Sequence, residues 1–304
     1  MIRAVIDVGS NSIKMRVADV SQGRVRVIRD ETEVVKLGRG MSSTGLLSEE
    51  SMKLSCSTVS RMVRKAKHIG AEIFIAGTMA LRTAQNSSEF LSMVKSSTGL
   101  DVHVLTGEEE AKFSWLGASE GFKISGEAVM FDTGGGSTEF VAGYGREMKR
   151  AVSVPVGAVN LSERFFADVD SPVKKSACDE AVKYLHELFA ENAIETFKPA
   201  KSGIVIAVGG GVAAMSCVKC ASEDFIPSKL HGSILTLKDV IRQIRLYSSL
   251  TLSERENIIG LPKSRADVIL GSACIVFAAL TTLDAQSCIV SINGLRHGLL
   301  VGDI

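Results

Sequence analysis

One organisational unit occurs twice in this chain, and it constrains the fold more than anything else in the sequence. Residues 2–8 read as an apolar strand carrying Asp7, and the loop Asp7-Val8-Gly9-Ser10-Asn11-Ser12 follows. Lys14 to Val20 alternates, Ser21-Gln22-Gly23 makes a turn, and Arg24 to Arg29 alternates again, which is the pattern of a β-meander. The plan restarts with a strand from Glu127 to Asp132, the loop Asp132-Thr133-Gly134-Gly135-Gly136-Ser137, and a strand from Thr138 to Ala142. Tyr144-Gly145-Arg146 then turns into a third strand, Lys149 to Val154. The two aspartates stand 125 residues apart. A repeat of this kind predicts two related α/β lobes, each a mixed sheet with flanking helices, and a cleft between them.

The segments between and after the repeats supply the helices. Ser48 is placed to N-cap a helix to about Ile69, closed by Gly70. A strand over 73–76, a helix over 88–98 ending at Gly99 and a strand over 102–105 come next, and then a helix from Gly107 to about Ser119. In the second half, Ser171-Pro172 is read as opening a helix to about Phe197. An apolar strand over 204–208 runs into Gly209-Gly210-Gly211. Helices follow over 237–250 and 253–259, and Ser264-Arg265-Ala266-Asp267 looks like a capping box for the apolar helix after it. A strand over 289–291 and a closing helix over 294–301 end the chain. The domain boundary is expected near residue 123, giving 1–123 and 124–304, with the closing helix near 294–304 returning to the first domain.

Composition narrows the function classes. Thirty-five basic residues against 34 acidic ones give a net charge of +1, which argues against a surface built wholly to grip nucleic acid. Hydrophobic residues at 45% support a sizeable core. The least charged stretch, 268–283, is short for a bilayer span and is diluted by Gly271, Ser272, Thr281 and Thr282, so a buried helix is expected and no membrane partner. The opening MIRAVIDVGSNS reads as a strand rather than a targeting helix, in keeping with a cytoplasmic protein. Cys217 and Cys220 have CxxC spacing, but no second pair or nearby histidine completes a zinc set, and reduced thiols are expected.

Three glycine-rich loops, each after a buried strand, carry the chemical signal: 7–12, 132–137 and 209–211. Glycines let backbone N–H groups converge on an anion, and Ser or Asn side chains add donors. Gly9, Ser10, Asn11 and Ser12 are therefore candidate phosphate contacts, as are Gly134, Gly135, Gly136 and Ser137. Asp132 and Glu139 flank the second loop, and oxygen ligands of this kind suit Mg²⁺ or another divalent cation.

This order of elements resembles the actin, heat-shock-chaperone and sugar-kinase superfamily. Within it the chain is similar to the exopolyphosphatase and guanosine-pentaphosphate phosphohydrolase family. The residues that carry the resemblance are DVGSNS at 7–12, GTMALRTAQN at 77–86, TGEEEA at 106–111, DTGGGSTEF at 132–140, VPVGAVNL at 154–161 and SINGLRHGLL at 291–300. The resemblance implies two ribonuclease H-like (actin-like ATPase) domains with the active site in the cleft. It assigns Glu110 to the activation of water, Arg82 to phosphate oxygens, and Asp132 and Glu139, with Asp7 joining through water, to the metal. Gly209, Gly210 and Gly211 match the loop by which superfamily relatives receive a nucleoside. Asn160 and His297 depart from the arginine and glutamate commoner in relatives. Arg296 is expected to pack or pair structurally. Longer relatives continue into a further helical region, so a hydrolytic core is expected here.

The activity implied is metal-dependent hydrolysis of the terminal phosphoanhydride of inorganic polyphosphate, releasing orthophosphate. The alternatives are 5′-phosphohydrolysis of guanosine pentaphosphate, transfer of phosphate from polyphosphate to ADP, or, in a different class, a non-catalytic nucleotide-binding regulator. A homodimer is implied by the resemblance alone.

Overall fold

The computed structural model of the protein describes residues 1–21, 24–122, 124, 126–200, 203–221 and 227–302. Gln22 and Gly23, two residues of the expected first turn, lie outside the described residues. The chain divides into two units, Met1–Gly117 with Leu295–Ile304, and Ala118–Gly294.

The first unit holds a five-stranded mixed sheet. Strands β1 (Ile2–Val8), β2 (Ser12–Ser21) and β3 (Arg24–Val34) form the antiparallel meander. Strands β4 (Glu72–Gly77) and β5 (His103–Val104) add on the other side of β1 in parallel, in the order β3-β2-β1-β4-β5. The central strand β1 is buried from Ala4 to Val8, which is why it reads as a continuous apolar run. Helix Glu49–His68 is capped by Ser48, whose hydroxyl accepts from the Ser51 N–H. Glu49 and Glu50 open it, and Lys65, Lys67 and His68 close it, matching charge to the helix dipole. Helices Ser87–Thr98, Gly107–Ser119 and Leu295–Val301 complete the unit.

The second unit repeats the plan. Strands β6 (Glu127–Thr133), β7 (Thr138–Tyr144) and β8 (Glu147–Val154) form its meander, and β9 (Ile204–Val208) pairs parallel to β6. Strands β10 (Ile234–Thr236) and β11 (Ser287–Ser291) extend the sheet to the order β10-β11-β9-β6-β7-β8. Its first five strands in space, β8-β7-β6-β9-β11, copy the order and sense of the first sheet. The copy extends to single residues. Asp7 faces Lys14 and Asp132 faces Glu139, and the middle strand of each meander carries a β-bulge, between Val17 and Ala18 in β2 and between Ala142 and Gly143 in β7. These are two ribonuclease H-like sheets in one α/β chain.

Helix Ile269–Thr282 is apolar on every side and almost wholly buried, packed among helices Ala158–Phe165, Lys175–Glu191, Gly210–Lys219 and Leu237–Ser248. No helix among the described residues is long and apolar enough to cross a membrane.

Several expected boundaries move. The helix expected from Ser171-Pro172 to Phe197 runs from Lys175 to Glu191; Ala193, at φ 54°, breaks it before a 3₁₀ turn over Ile194–Phe197. Val173 N–H is held by the Ser248 carbonyl, which keeps the preceding segment extended. The expected capping box over 264–267 does not form. A 3₁₀ turn occupies Lys263–Arg265 and the helix starts after Val268. The helix expected over 253–259 is a single turn, Leu252–Arg255, capped by Thr251 and Glu254.

Candidate active site

In the first unit, a short helix, Met79–Thr83, follows β4 and carries Arg82. The sequence gives Arg82 no acidic neighbour, but the fold supplies one. Its Nη1 lies 3.0 Å from a Glu110 carboxylate oxygen, across 28 residues of chain, and donates to the Leu105 carbonyl at 2.7 Å. Leu105 is tied in turn to the Gly77 carbonyl, so the ends of β4 and β5 fix both partners. Nε and Nη2 of Arg82 make no hydrogen bond among the described residues, leaving one edge of the guanidinium for an anion.

Three glutamates open helix Gly107–Ser119, and the structure separates their roles. Glu109 folds back to accept from Thr106 N–H and Oγ1 at 2.8 and 3.0 Å, a capping box whose hydrogen bonds lower its pKa. Glu108 is exposed, whereas Glu110 is buried against Arg82. Burying a carboxylate without a countercharge would cost several kcal/mol; the guanidinium offsets part of that cost.

The two repeated loops share a construction that leaves their amides available. In the first, the Ser10 carbonyl accepts from Gly38 N–H, and the Asn11 carbonyl accepts from Val35 and Lys36. In the second, the Gly134 and Gly135 carbonyls accept from Ala158 and Val159, the first residues of helix Ala158–Phe165. The N–H groups of Gly135, Gly136, Ser10 and Asn11 make no hydrogen bond among the described residues. Carbonyls bound from behind and free amides in front form an anion cradle. Asn11 adds a buried Oδ1 with no partner, a polar side chain that still needs one. Gly157 is obligatory here, because a Cβ would overlap the backbone of Gly135 and Gly136.

Asp132 and Glu139 are directly opposed residues of the antiparallel pair β6 and β7. Opposed residues project from the same face of the sheet, with Cβ atoms about 5 Å apart, and like charges so placed repel. Glu139 is buried and accepts a hydrogen bond from Ser153 Oγ at 2.8 Å. An all-oxygen pair in this setting fits a hard divalent cation. The described residues contain no group of three or more His, Cys, Asp or Glu arranged around one point. Asp7, in the first unit, has Lys14 Nζ 4.0 Å from its carboxylate.

Gly209, Gly210 and Gly211 are not an open loop: they begin helix Gly210–Lys219. Gly209, at φ 127°, presses against the Thr133 carbonyl, and a Cβ on Gly211 would lie 2.5 Å from the Ser272 Cβ. Against Gly210 lies the guanidinium of Arg265, a residue that sequence reasoning took only as part of a helix cap. Burial lowers its pKa and Asp267 opposes the shift. A cation beside the positive end of a helix is an arrangement that an anion would stabilise. No sequence signal marks Arg265, since only packing brings residue 265 to residue 210.

Of the two departures, Asn160 makes structural contacts. The Asn160 side chain accepts from Gly157 N–H at 2.8 Å and donates to the Gly136 carbonyl at 3.0 Å, so it braces the glycine loop. His297 is buried in the closing helix. Arg296 binds Asp30, which also takes Arg16 Nε at 2.8 Å. All six cysteines are free, and burial raises the pKa of the Cys217 thiol, which opposes thiolate redox chemistry at the CxxC pair.

Comparison with known proteins identifies the family of the chain. A guanosine-5′-triphosphate,3′-diphosphate pyrophosphatase of Photobacterium profundum is 30% identical over 98% of the chain, which spans 58% of that relative's length. An Aquifex aeolicus structure described as a PPX-GPPA enzyme matches all of the chain at 29% identity, covering 99% of its own, with a TM-score of 0.83. An exopolyphosphatase from Cytophaga hutchinsonii matches over the whole of both chains at 25% identity and a TM-score of 0.89. The model of the Ppx/GppA phosphatase family matches residues 16–304, and the chain belongs to that family.

Proposed function

We propose that this protein is a metal-dependent phosphohydrolase that removes the terminal phosphate of inorganic polyphosphate. The observation that carries the reading is the Arg82–Glu110 pair, a buried carboxylate joined to a guanidinium that also donates to the Leu105 carbonyl and keeps one edge free. Hydrolysis of a phosphoanhydride needs a positioned water, a base, and neutralisation of the charge on the transferring phosphoryl group. Glu110 takes the proton of the attacking water. Arg82 holds phosphate oxygens, and the free amides of Ser10 and Asn11 in the same unit offer further anion contacts. Asp132 and Glu139 would hold Mg²⁺, which when bound offsets the negative charge of the phosphates. Homodimerisation is part of the proposal on the family resemblance, and light scattering tests it.

Glu110→Gln keeps the size and hydrogen bonding of the side chain and removes the base. Phosphate release from a defined polyphosphate should fall by about 1,000-fold in a folded variant. A wild-type rate would end the assignment.

A second reading, 5′-phosphohydrolysis of guanosine pentaphosphate, draws on the name of the Photobacterium relative and on Arg265. That guanidinium at a helix N-terminus offers an anion contact within the second unit. Competition of the two substrates in single turnover separates the readings. Hydrolysis of both would mean one site serving both.

A further inference from the structure

The closing helix Leu295–Val301 meets helix Gly107–Ser119 backbone to backbone. A Cβ on Gly298 would overlap the Phe113 carbonyl oxygen and lie 2.6 Å from its carbon and 3.0 Å from its Cα. Phe113 is one turn beyond Glu110 and, at a spacing of three residues, neighbours it on the helix. The closing helix is itself anchored. Arg296 binds Asp30 and reaches the Met15 carbonyl, while Arg3 Nη1 donates to the Leu300 carbonyl at 3.3 Å. Between these anchors Leu295, Leu299 and Leu300 are buried with Phe113 and Leu105, and the Leu105 carbonyl is the one that Arg82 uses. Gly302 continues the contact, where a Cβ would stand 2.8 Å from the Phe113 ring.

We infer that Gly298 is a positioning residue for Glu110: the depth to which the closing helix seats fixes the backbone of Phe113, and through it the place of the Glu110 carboxylate beside Arg82. The inference rests on Glu110 being the base. Its physical content is the stiffness of backbone contact. A side chain at an interface can change rotamer, but a helix carbonyl has no such freedom. Nonbonded atoms settle at about 3.5 Å, so an added methyl forces one helix to yield by roughly an ångström. A displacement of that size at a catalytic group is worth about 100-fold in rate.

The test is Gly298→Ala in the full chain, assayed on a defined polyphosphate with Mg²⁺ and melted in parallel. Expected is a fall in kcat of about 100-fold with KM within about threefold, in protein that still melts cooperatively. In a Glu110→Gln background the same change should cost almost nothing further, because the base it displaces is already gone. A lower melting temperature with unchanged kcat, or full additivity with Glu110→Gln, would overturn the inference and leave the role of Glu110 standing. An active Glu110→Gln enzyme would instead remove the reading beneath it. If Gly298→Ala does not fold, Gly302→Ala decides: it presses on the Phe113 ring, and kcat should fall severalfold with KM unchanged, whereas wild-type kcat overturns the proposal.

Discussion

Lys14 and Glu139 hold the same position in the two copies of the hairpin, each directly opposite the aspartate one residue before the end of the preceding strand, and they carry opposite charges. The first hairpin therefore brings its own ammonium to Asp7, at 4.0 Å. The second places two carboxylates face to face. One duplicated scaffold has been given two electrostatic states by a single position.

The metal assignment can be tested at that position. Glu139→Gln should raise the Mg²⁺ concentration for half-maximal phosphate release by about tenfold or more, since one of two anionic ligands is lost. Glu139→Lys, which copies the first hairpin, should abolish saturable Mg²⁺ binding in calorimetry. Unchanged Mg²⁺ dependence in both variants would place the ion elsewhere.

Arg82 should not tolerate lysine. An ammonium can pair with Glu110 but cannot also hold the Leu105 carbonyl and present a planar free edge. Arg82→Lys and Arg82→Ala should both lose about 100-fold in kcat/KM for polyphosphate. Near-full activity in the lysine variant would show that charge alone suffices.

The brace on the glycine loop makes a third prediction. Asn160→Ala deletes an acceptor for Gly157 N–H and a donor to the Gly136 carbonyl, so stability should fall by about 1–2 kcal/mol, read by urea denaturation. KM should rise as the loop loosens. Asn160→Arg should lose the same stability, because no arginine can accept from Gly157.

Acid stability should depend on Asp239. Burial alone would raise its pKa, but hydrogen bonds from Lys219 and from Thr236 overcome that and hold it at about 2. A depressed carboxylate stabilises the fold above the unfolded pKa, and this is lost as pH falls through the folded value. Wild type should therefore exceed Asp239→Asn by about 1–2 kcal/mol at pH 5, allowing for partial solvent screening, and the gap should close between pH 4 and 2. A gap that persists at pH 2 would contradict the linkage.

Local signals in the sequence located most elements. The meanders were legible because alternation and Asp-Gly loops are short-range properties, and helix Gly107–Ser119 ends where it was expected. Tertiary contacts decided the rest. Val173 is pulled straight by the carbonyl of Ser248, so Ser171 caps nothing. Helix Ala158–Phe165 carries no Ser, Thr or Asp at its start, because the close approach of Gly135 and Gly136 requires glycine at its N-cap, Gly157. At the site, the residue types could be read from motifs, but the Arg82–Glu110 pair and the seat of Arg265 on Gly210 join residues remote in the chain. No periodicity reports such meetings.

The bulges at Val17/Ala18 and Ala142/Gly143 and the matched register of the two hairpins make their length a fixed quantity. Strand side chains alternate faces, so one residue added within β7 between the paired Thr138 and Glu139 would turn Glu139 to the opposite side of the sheet while every carboxylate remained in the chain. Point substitution can tune this hairpin, but an odd insertion or deletion cannot be repaired by any residue choice. Sequence drift in the family should therefore change the letters of the loop far more readily than its count.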